Sequence, residues 1–339
     1  MDYRISKNRR EAFVRWYSWS LVHKDCDPAV WCTNYLNDRF EHNDEQRLWF
    51  CWLYGNTYHL PTAWILMNEF PDFELATVDR ITEWNSKNYT RLRYQTDTKW
   101  NKGHLPSMFE SYKKFVGDIS QREKLEQMYH GAETDNFSNI WNSVKENLYK
   151  FGRYSTWFYL QHLKHTSDIK IQPTSLMLND YSGSKSHRNG LLYALGQDDK
   201  VNAKLTKSEY EYLEKEASSI LEETKCRFPE LVNDIDFFTM ETCLCSFKKL
   251  FRVSRGRYLG YYLDRQSEEI QQVEKDGWYG IDWNVLWQAR DETLDIRLCG
   301  RNKIDQERFS EFLYTGGLSN LNWLFSDEKE IKKGIEEFL

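Results

Sequence analysis

Apolar residues recur at the three- and four-residue spacing of amphipathic helices along most of the chain. Phe13, Trp16, Tyr17 and Leu21 share one face of the first such segment. A second segment, DEQRLWFCWLY, begins with acids, which helix N-termini favour, and continues with apolar residues. Clean apolar–polar alternation, which indicates a half-buried strand, nowhere extends beyond about five residues. The pattern predicts an all-α fold.

Capping residues predict where individual helices begin. The predicted caps are Thr77 for a helix through Trp84, Ser138 for one through Leu148, Thr206 with Glu209 as a capping box for one ending near Pro229, and Thr239 for METCLCSFKKLF. Later helices are predicted over 283–294 and after Asp305. The polar stretch 196–206 predicts a soft boundary between two packed helical lobes. We expect a single helical catalytic domain over 1–300 and a C-terminal helical tail over 301–339.

Composition agrees with a large helical protein. The 339 residues include only 6 Pro and 16 Gly, whereas 14 Trp, 21 Tyr and 19 Phe provide rings for helix packing or for stacking on bases. Seven Cys match no zinc-ligand spacing, so we predict free thiols and no metal site. The charged N-terminus and the lack of a long apolar run predict a cytoplasmic protein without a membrane partner.

Charge is unevenly distributed along a chain of net charge −6. Positions 243–263 hold five Lys and Arg residues and no acid, and positions 87–104 hold six basic residues, counting His104, with one acid. A globally acidic chain with local basic faces can still bind DNA.

Four polar, glycine-bearing segments interrupt the helical rhythm. In TDTKWNKGHLP (96–106), Lys99, Lys102 and His104 lie beside Gly103 and suit phosphate contacts, next to a helix predicted to start near Pro106. The alternative is an ordinary basic loop.

The second segment, KFGRYSTWFYLQ (150–161), opens a helix with Gly152, Arg153 and Tyr154. It resembles the helix-hairpin-helix DNA glycosylases, whose hairpin amides hold a DNA phosphate. The third, SLMLNDYSGSKSHRNGLLYALG (175–196), is similar to the segment of those enzymes that carries the active-site Asp. The resemblance implies a glycosylase-like core.

The third segment also gathers many donors in one stretch, which suits a pyrophosphate. These donors are Ser182, Ser184, Lys185, Ser186, His187, Arg188 and Asn189, whereas Asp180 corresponds to the active-site Asp of the glycosylases. A solvated turn is the alternative.

The fourth segment runs from 238 to 266. Glu241, Cys245 and Lys248 share one helical face, and Arg257, Tyr258, Asp264 and Arg265 follow. Acid, base and rings so close together favour a substrate wall over a salt-bridged surface helix.

Seven stretches together resemble the amino acid:DNA transferases of phage thymine hypermodification, also described as the second clade of α-glutamyl/putrescinyl-thymine pyrophosphorylases. They are CDPAV, LYGNTYHLPTAW, RLRYQTDTKWNKGHLPSMF, KFGRYSTWFY, PTSLMLNDYSGSKSHRNGLLYALG, FTMETCLCSFKKLF and RGRYLGYYLDRQ. The resemblance implies an enzyme of the infected host's cytoplasm. It would act on double-stranded DNA whose 5-hydroxymethyluracil carries pyrophosphate, and would displace that group with the amine of a free amino acid, with glycine as one small candidate.

The residues suit such chemistry in named roles. The modified base is expected to be flipped out of the duplex. Charge on departing pyrophosphate calls for Lys185, His187 and Arg188, with Lys99 and Lys102 as further candidates, and Mg²⁺ could accompany the pyrophosphate. Asp180 or Glu241 is the predicted general base.

Binding roles fall to other side chains. Arg257 or Arg265 is predicted to hold the amino acid carboxylate, and Tyr154, Tyr258 or a Trp to stack on the uracil. Two alternatives stay open: a true DNA glycosylase acting on a modified base, and a non-catalytic DNA-binding helical protein.

Overall fold

A computed structural model describes residues 5–180, 185–251 and 260–294, without the side chains of Thr96 and Asp97. Four predicted site residues, Ser182, Ser184, Arg257 and Tyr258, lie outside the described residues. So do the helix predicted after Asp305 and the predicted tail 301–339.

Helices and their connections make up the whole described part of the chain, in which no strand occurs. The α-helices are α1 Arg9–Val22, α2 Pro28–Arg39, α3 Asp44–Thr57, α4 Leu60–Glu69, α5 Val78–Asn88, α6 Leu105–Val116, α7 Gln121–Glu126, α8 Glu133–Asn147, α9 Arg153–Ser167, α10 Ser186–Ala194, α11 Lys207–Arg227, α12 Phe237–Phe247, α13 Tyr261–Lys275 and α14 Asn284–Thr293. Short 3-10 helices cover Ser6–Asn8, Thr96–Trp100, Lys102–His104, Asp198–Lys200, Pro229–Leu231 and Lys248–Phe251. The all-α prediction is confirmed. Among the described helices, none is both long enough and apolar enough to cross a bilayer.

Two of the predicted helix caps are confirmed. The Thr77 side chain accepts a hydrogen bond from the Arg80 amide at the start of α5. Thr206 and Glu209 form the reciprocal capping box of α11. In both cases the cap lies next in sequence to the residues it serves, so the sequence suffices to locate it.

The other two predicted caps are wrong. Helix α8 begins before Ser138, at Glu133, because acids in its first turn interact favourably with the helix dipole; the Ser138 hydroxyl instead donates to the Thr134 carbonyl. At α12 the Asp236 carboxylate accepts the Thr239 amide, and Thr239 bonds back to the Asp236 amide. Asp236 is therefore the cap and Thr239 its partner one turn inside the helix.

The helices pack as two groups that share one hydrophobic core. In the first group α1 packs against α10, α11 and α12, and in the second α9 packs against α2, α3 and α8. Helices α4, α13 and α14 extend the second group through α3 and α2. The groups meet where the ring of Phe238 on α12 contacts that of Trp157 on α9, with 4.9 Å between ring centroids. We call this junction the seam. The predicted boundary at 196–206 lies between α10 and α11, and both of these helices belong to the first group.

Helices α10 and α12 touch backbone to backbone beside the seam. A Cβ atom added to Gly190 of α10 would lie 2.1 Å from the carbonyl oxygen of Leu244 on α12. Only a glycine fits there, because any side chain would force the two helices apart. This contact places the first turn of α10 against the α12 face that carries Glu241.

Candidate active site at the seam

Charged side chains from α9, α10 and α12 meet at the seam. We call Arg153, His187, Glu241, Cys245 and Lys248 the Glu241 cluster. One carboxylate oxygen of Glu241 lies 3.5 Å from an Arg153 guanidinium nitrogen and 3.3 Å from His187 Nδ1. The Cys245 thiol donates a hydrogen bond to the Glu241 carboxylate. The Lys248 ammonium donates a hydrogen bond of 2.5 Å to the Ser186 hydroxyl. The chain thus buries one acid among several basic groups.

Burial sets the protonation states of this cluster. It raises the pKa of Glu241, an effect that the Arg153 charge partly offsets. Burial lowers the pKa of His187 well below its usual value, and the positive charges of Arg153 and Arg188 lower it further. His187 is therefore neutral near pH 7, and Glu241 binds a proton more tightly than an exposed glutamate does.

His187, Glu241 and Cys245 also offer three possible metal ligands within 4.8 Å of one another. The same space already holds the Arg153 guanidinium against Glu241, and Lys248 acts on all three groups. These positive charges would repel a divalent cation. The electrostatics favour an anion or a proton-transfer reaction at this place.

A second buried cluster lies where α2, α3, α9 and α13 meet. We call it the Asp27 cluster; its members are Asp27, Tyr54, Tyr58, Tyr154, Tyr262, Arg265 and Glu269. The Arg265 Nε donates to Glu269 at 2.7 Å, and its guanidinium lies 4.9 Å from the Tyr58 ring centroid and 6.0 Å from that of Tyr262. Tyr154 packs edge-on against Tyr58. Rings therefore enclose the guanidinium, as in a cation–π site.

The acids of the Asp27 cluster are strongly perturbed. Burial raises the pKa of Asp27 to about 7, against the opposing effect of the Arg265 charge. Burial likewise raises the pKa of Glu269 to about 7, with Arg265 again opposing. Both acids can therefore change protonation state near neutral pH.

The two clusters influence one another across the seam. The charge of Glu241 contributes to the raised pKa of Asp27. In the same way, the charge of Cys245 contributes to the raised pKa of Tyr262. The tripeptide Asp25–Cys26–Asp27 links the two clusters. The Asp25 carboxylate accepts hydrogen bonds from the backbone amides of Gly260, Tyr262 and Leu263 at the start of α13. The Cys26 thiol forms a hydrogen bond with the Cys243 thiol on α12. We treat the two clusters as parts of one site.

A basic surface with exposed rings lies beside the start of α9. We call it the Trp100 surface; its members are Lys99, Trp100, Lys102, His104, Tyr149 and Lys150. Trp100 is 70% exposed and Tyr149 46% exposed, and a lysine lies over each ring. The buried Asn101 side chain donates to the Ser155 hydroxyl and so attaches this surface to the first turn of α9. Exposed rings among lysines suit contacts with nucleic acid bases and phosphates.

The remaining sequence candidates lie apart from Glu241. The described ion pair of Asp180 joins its carboxylate to Lys145 of α8 at 2.5 Å. The Arg188 guanidinium donates to the Tyr210 hydroxyl of α11 at 3.1 Å, although its charge still reaches His187. Lys185 is exposed at the start of α10, and Asp264 is half-buried in the first turn of α13. The structure thus brings together Arg153, His187, Glu241 and Lys248, and it places Tyr154 with Arg265.

Sequence reasoning missed Asp27, Tyr58 and Glu269. Asp27 precedes Pro28, which is the pattern of an ordinary helix cap. Tyr58 lies in an aromatic-rich stretch where no ring stands out, and Glu269 lies among other acids of α13. Only CDPAV, one of the stretches that carried the family resemblance, could have drawn attention to Asp27.

Comparison with known proteins now adds to this geometry. A family model described as amino acid:DNA transferase matches residues 25–257, and that range contains Asp27 and the whole Glu241 cluster, whereas Arg265 and Glu269 lie beyond its end. A protein of Salmonella phage ViI called serinyltransferase is 26% identical over an alignment of 321 positions, which covers 88% of this chain and 77% of that protein. No solved structure matches the chain significantly. The resemblance to glycosylases stays a prediction.

Proposed function

Because the chain belongs to the amino acid:DNA transferase family, we propose that it displaces pyrophosphate from 5-pyrophosphoryloxymethyl-uracil in DNA with the amine of an amino acid. A carbon–nitrogen bond forms at the exocyclic methylene, and the carbon–oxygen bond to pyrophosphate breaks. Pyrophosphate leaves with the bonding electrons, the incoming ammonium gives one proton to a base before it attacks, and the product nitrogen is a secondary ammonium. The buried acid Glu241, surrounded by basic side chains, is the observation that carries the proposal.

Glu241 is our choice of general base. An amino acid is an ammonium ion at neutral pH, so its nitrogen must lose a proton before it can attack. Glu241 has a raised pKa and lies in the seam, whereas the other sequence candidate, Asp180, is ion-paired with Lys145. His187, which is neutral, lies with its Nδ1 3.3 Å from the Glu241 carboxylate, and no hydrogen bond joins these two atoms.

Pyrophosphate would leave toward the positive end of the same cluster. Arg153 and Lys248 are the buried cations there, and Lys185 lies next to the Ser186 hydroxyl that Lys248 contacts. Fixed positive charges in a dry site stabilise a departing polyanion far better than water-exposed ones. Any Mg²⁺ would enter bound to pyrophosphate, whose negative charge offsets the repulsion by these cations, so reactions with and without a chelator belong in the assay.

DNA would bind the Trp100 surface. Lysines there can contact phosphates while the exposed rings of Trp100 and Tyr149 stack on bases next to the extruded uracil. Because Asn101 links this surface to the α9 turn that contains Tyr154, a base leaving the duplex here would be near the seam. Tyr154 is half-buried and could stack on that base.

We expect the transferred amino acid to be small, with glycine as the first candidate. Serine is the second, because the Salmonella phage ViI relative is called serinyltransferase. The experiment incubates the chain with pyrophosphorylated hydroxymethyluracil DNA and each amino acid, followed by nucleoside mass spectrometry. We expect a mass adduct that depends on one amino acid and the release of pyrophosphate.

Glu241→Gln provides the test of mechanism. It should lower kcat about 100-fold or more, which is the usual contribution of a general base. Glu83→Gln, which replaces an exposed acid of α5, is the matched control and should be unchanged. Pyrophosphate lost to water alone, or no reaction, would refute the transferase, and abasic sites would indicate a glycosylase. Full activity in Glu241→Gln would refute its role as base.

A further inference from the structure

Asp27 has an unusual environment for a residue that precedes a helix. It occupies the N-cap of α2 with φ +66, yet its side chain accepts no hydrogen bond from the helix amides. One carboxylate oxygen accepts a long hydrogen bond of 3.4 Å from the Tyr54 hydroxyl. The other is buried and has no hydrogen-bond partner in the described part of the chain. A buried carboxylate oxygen left unpaired costs free energy, so a structural cap does not explain this residue.

Arg265 supplies the complementary charge. Its Nε donates to Glu269, but its two terminal nitrogens have no acceptor among the described residues. The Arg265 charge is the largest influence that lowers the pKa of Asp27, yet no ion pair joins the two side chains. The two side chains carry opposite charges and are not bonded to each other, so a zwitterion could satisfy both by binding one charge to each.

We propose that Asp27 and Arg265 form the site for the zwitterionic amino acid. The Asp27 carboxylate accepts hydrogen bonds from its ammonium group, and the terminal nitrogens of Arg265 donate to its carboxylate. This inference rests on the proposed function and identifies where its second substrate binds. Arg265 alone was a candidate for the carboxylate from the sequence, whereas the ammonium partner comes from the structure.

The neighbours of the two residues fit this assignment. Tyr58 and Tyr262 hold the Arg265 guanidinium from the side, so its terminal nitrogens keep a fixed direction for a bidentate contact. His59, whose Nε2 is buried and unpaired in the part that the structure describes, is neutral because burial, aided by the Arg265 charge, lowers its pKa. It offers a further polar contact. The charge of Glu241 acts on Asp27, so an ammonium held by Asp27 would also feel the charge of the proposed base.

The test separates binding of the amino acid from chemistry. In Asp27→Asn and Arg265→Lys, the KM for the amino acid should rise about 10- to 100-fold, the usual cost of losing one charge-assisted hydrogen bond, while kcat changes little. Glu241→Gln should show the reverse pattern. Asp79→Asn, at an exposed acid of α5, is the matched control and should keep the wild-type KM.

A second measurement needs no variant of Asp27. Methylamine lacks the carboxylate of glycine, so the wild type should use it with a much higher KM. That preference for glycine over methylamine should shrink in Arg265→Lys. If circular dichroism shows that Asp27→Asn does not fold, these comparisons decide the question.

The outcomes distinguish the two proposals. Wild-type protein that transfers no amino acid would overturn the proposed function, and this site with it. Transfer by the wild type, with an unchanged KM in both variants or with methylamine used as well as glycine, would overturn this site alone.

Discussion

Gly190→Ala should loosen the contact between α10 and α12. The added Cβ would lie 2.1 Å from the Leu244 carbonyl oxygen and 2.6 Å from its carbonyl carbon. Ordinary contacts begin at 3.4 Å, so the helices must separate by about 1 Å. Overpacking of this kind costs about 3 kcal/mol, and alanine regains about 1 kcal/mol of helix propensity. We expect the free energy of unfolding to fall by about 2 kcal/mol.

Activity should fall as well, because the displaced α10 carries Ser186 and His187 away from Lys248 and Glu241. A shift of about 1 Å in catalytic groups can cost about 100-fold in rate, so we expect at least a 10-fold loss of kcat. Urea denaturation followed by circular dichroism measures the stability, and the adduct assay measures kcat. Gly103→Ala is the control for stability, because an added Cβ there meets no atom within 4 Å. If Gly190→Ala were as stable as Gly103→Ala and as active as the wild type, the backbone contact would not hold the site together.

Three further predictions test other parts of the structure. Asp25→Ala removes the acceptor of three buried amides at the start of α13 and should lower the free energy of unfolding, measured in urea, by about 2–4 kcal/mol. Trp100→Ala should weaken DNA binding, measured by fluorescence anisotropy, about 5-fold or more, whereas the fully exposed Tyr279→Ala should not. Asp27 has a folded-state pKa raised to about 7, so its contribution to stability is present below pH 4 and is lost as pH rises through 7. Relative to the wild type, the free energy of unfolding of Asp27→Asn should therefore rise by about 2 kcal/mol between pH 5 and pH 8. If the free energies of unfolding of the two proteins changed in parallel with pH, that result would contradict the raised pKa.

Helices were predictable where the determining interactions are local. The apolar face of α1, the acidic start of α3 and the capping box of Thr206 with Glu209 each lie within a few residues of one another. Ser138 failed as a cap because an earlier acidic turn also starts a helix, and a short window cannot rank two such starts.

The site was predictable only one element at a time. Glu241, Cys245 and Lys248 share a helical face by their spacing alone, and the structure keeps them together. Their meeting with His187 depends on the packing at Gly190, which spacing cannot reveal. Asp27 was missed because its unpaired oxygen is a property of the folded surroundings.

The tripeptide 25–27 connects elements that are more than 200 residues apart in the sequence. Contacts of such separation are costly in chain entropy, because long loops must close before they can form. Transferase activity would then require both helix groups to be folded and packed together, and a fragment that lacks either group would have no activity. An engineer who wishes to change the amino acid used should leave these three residues intact and vary the rings around Arg265 instead.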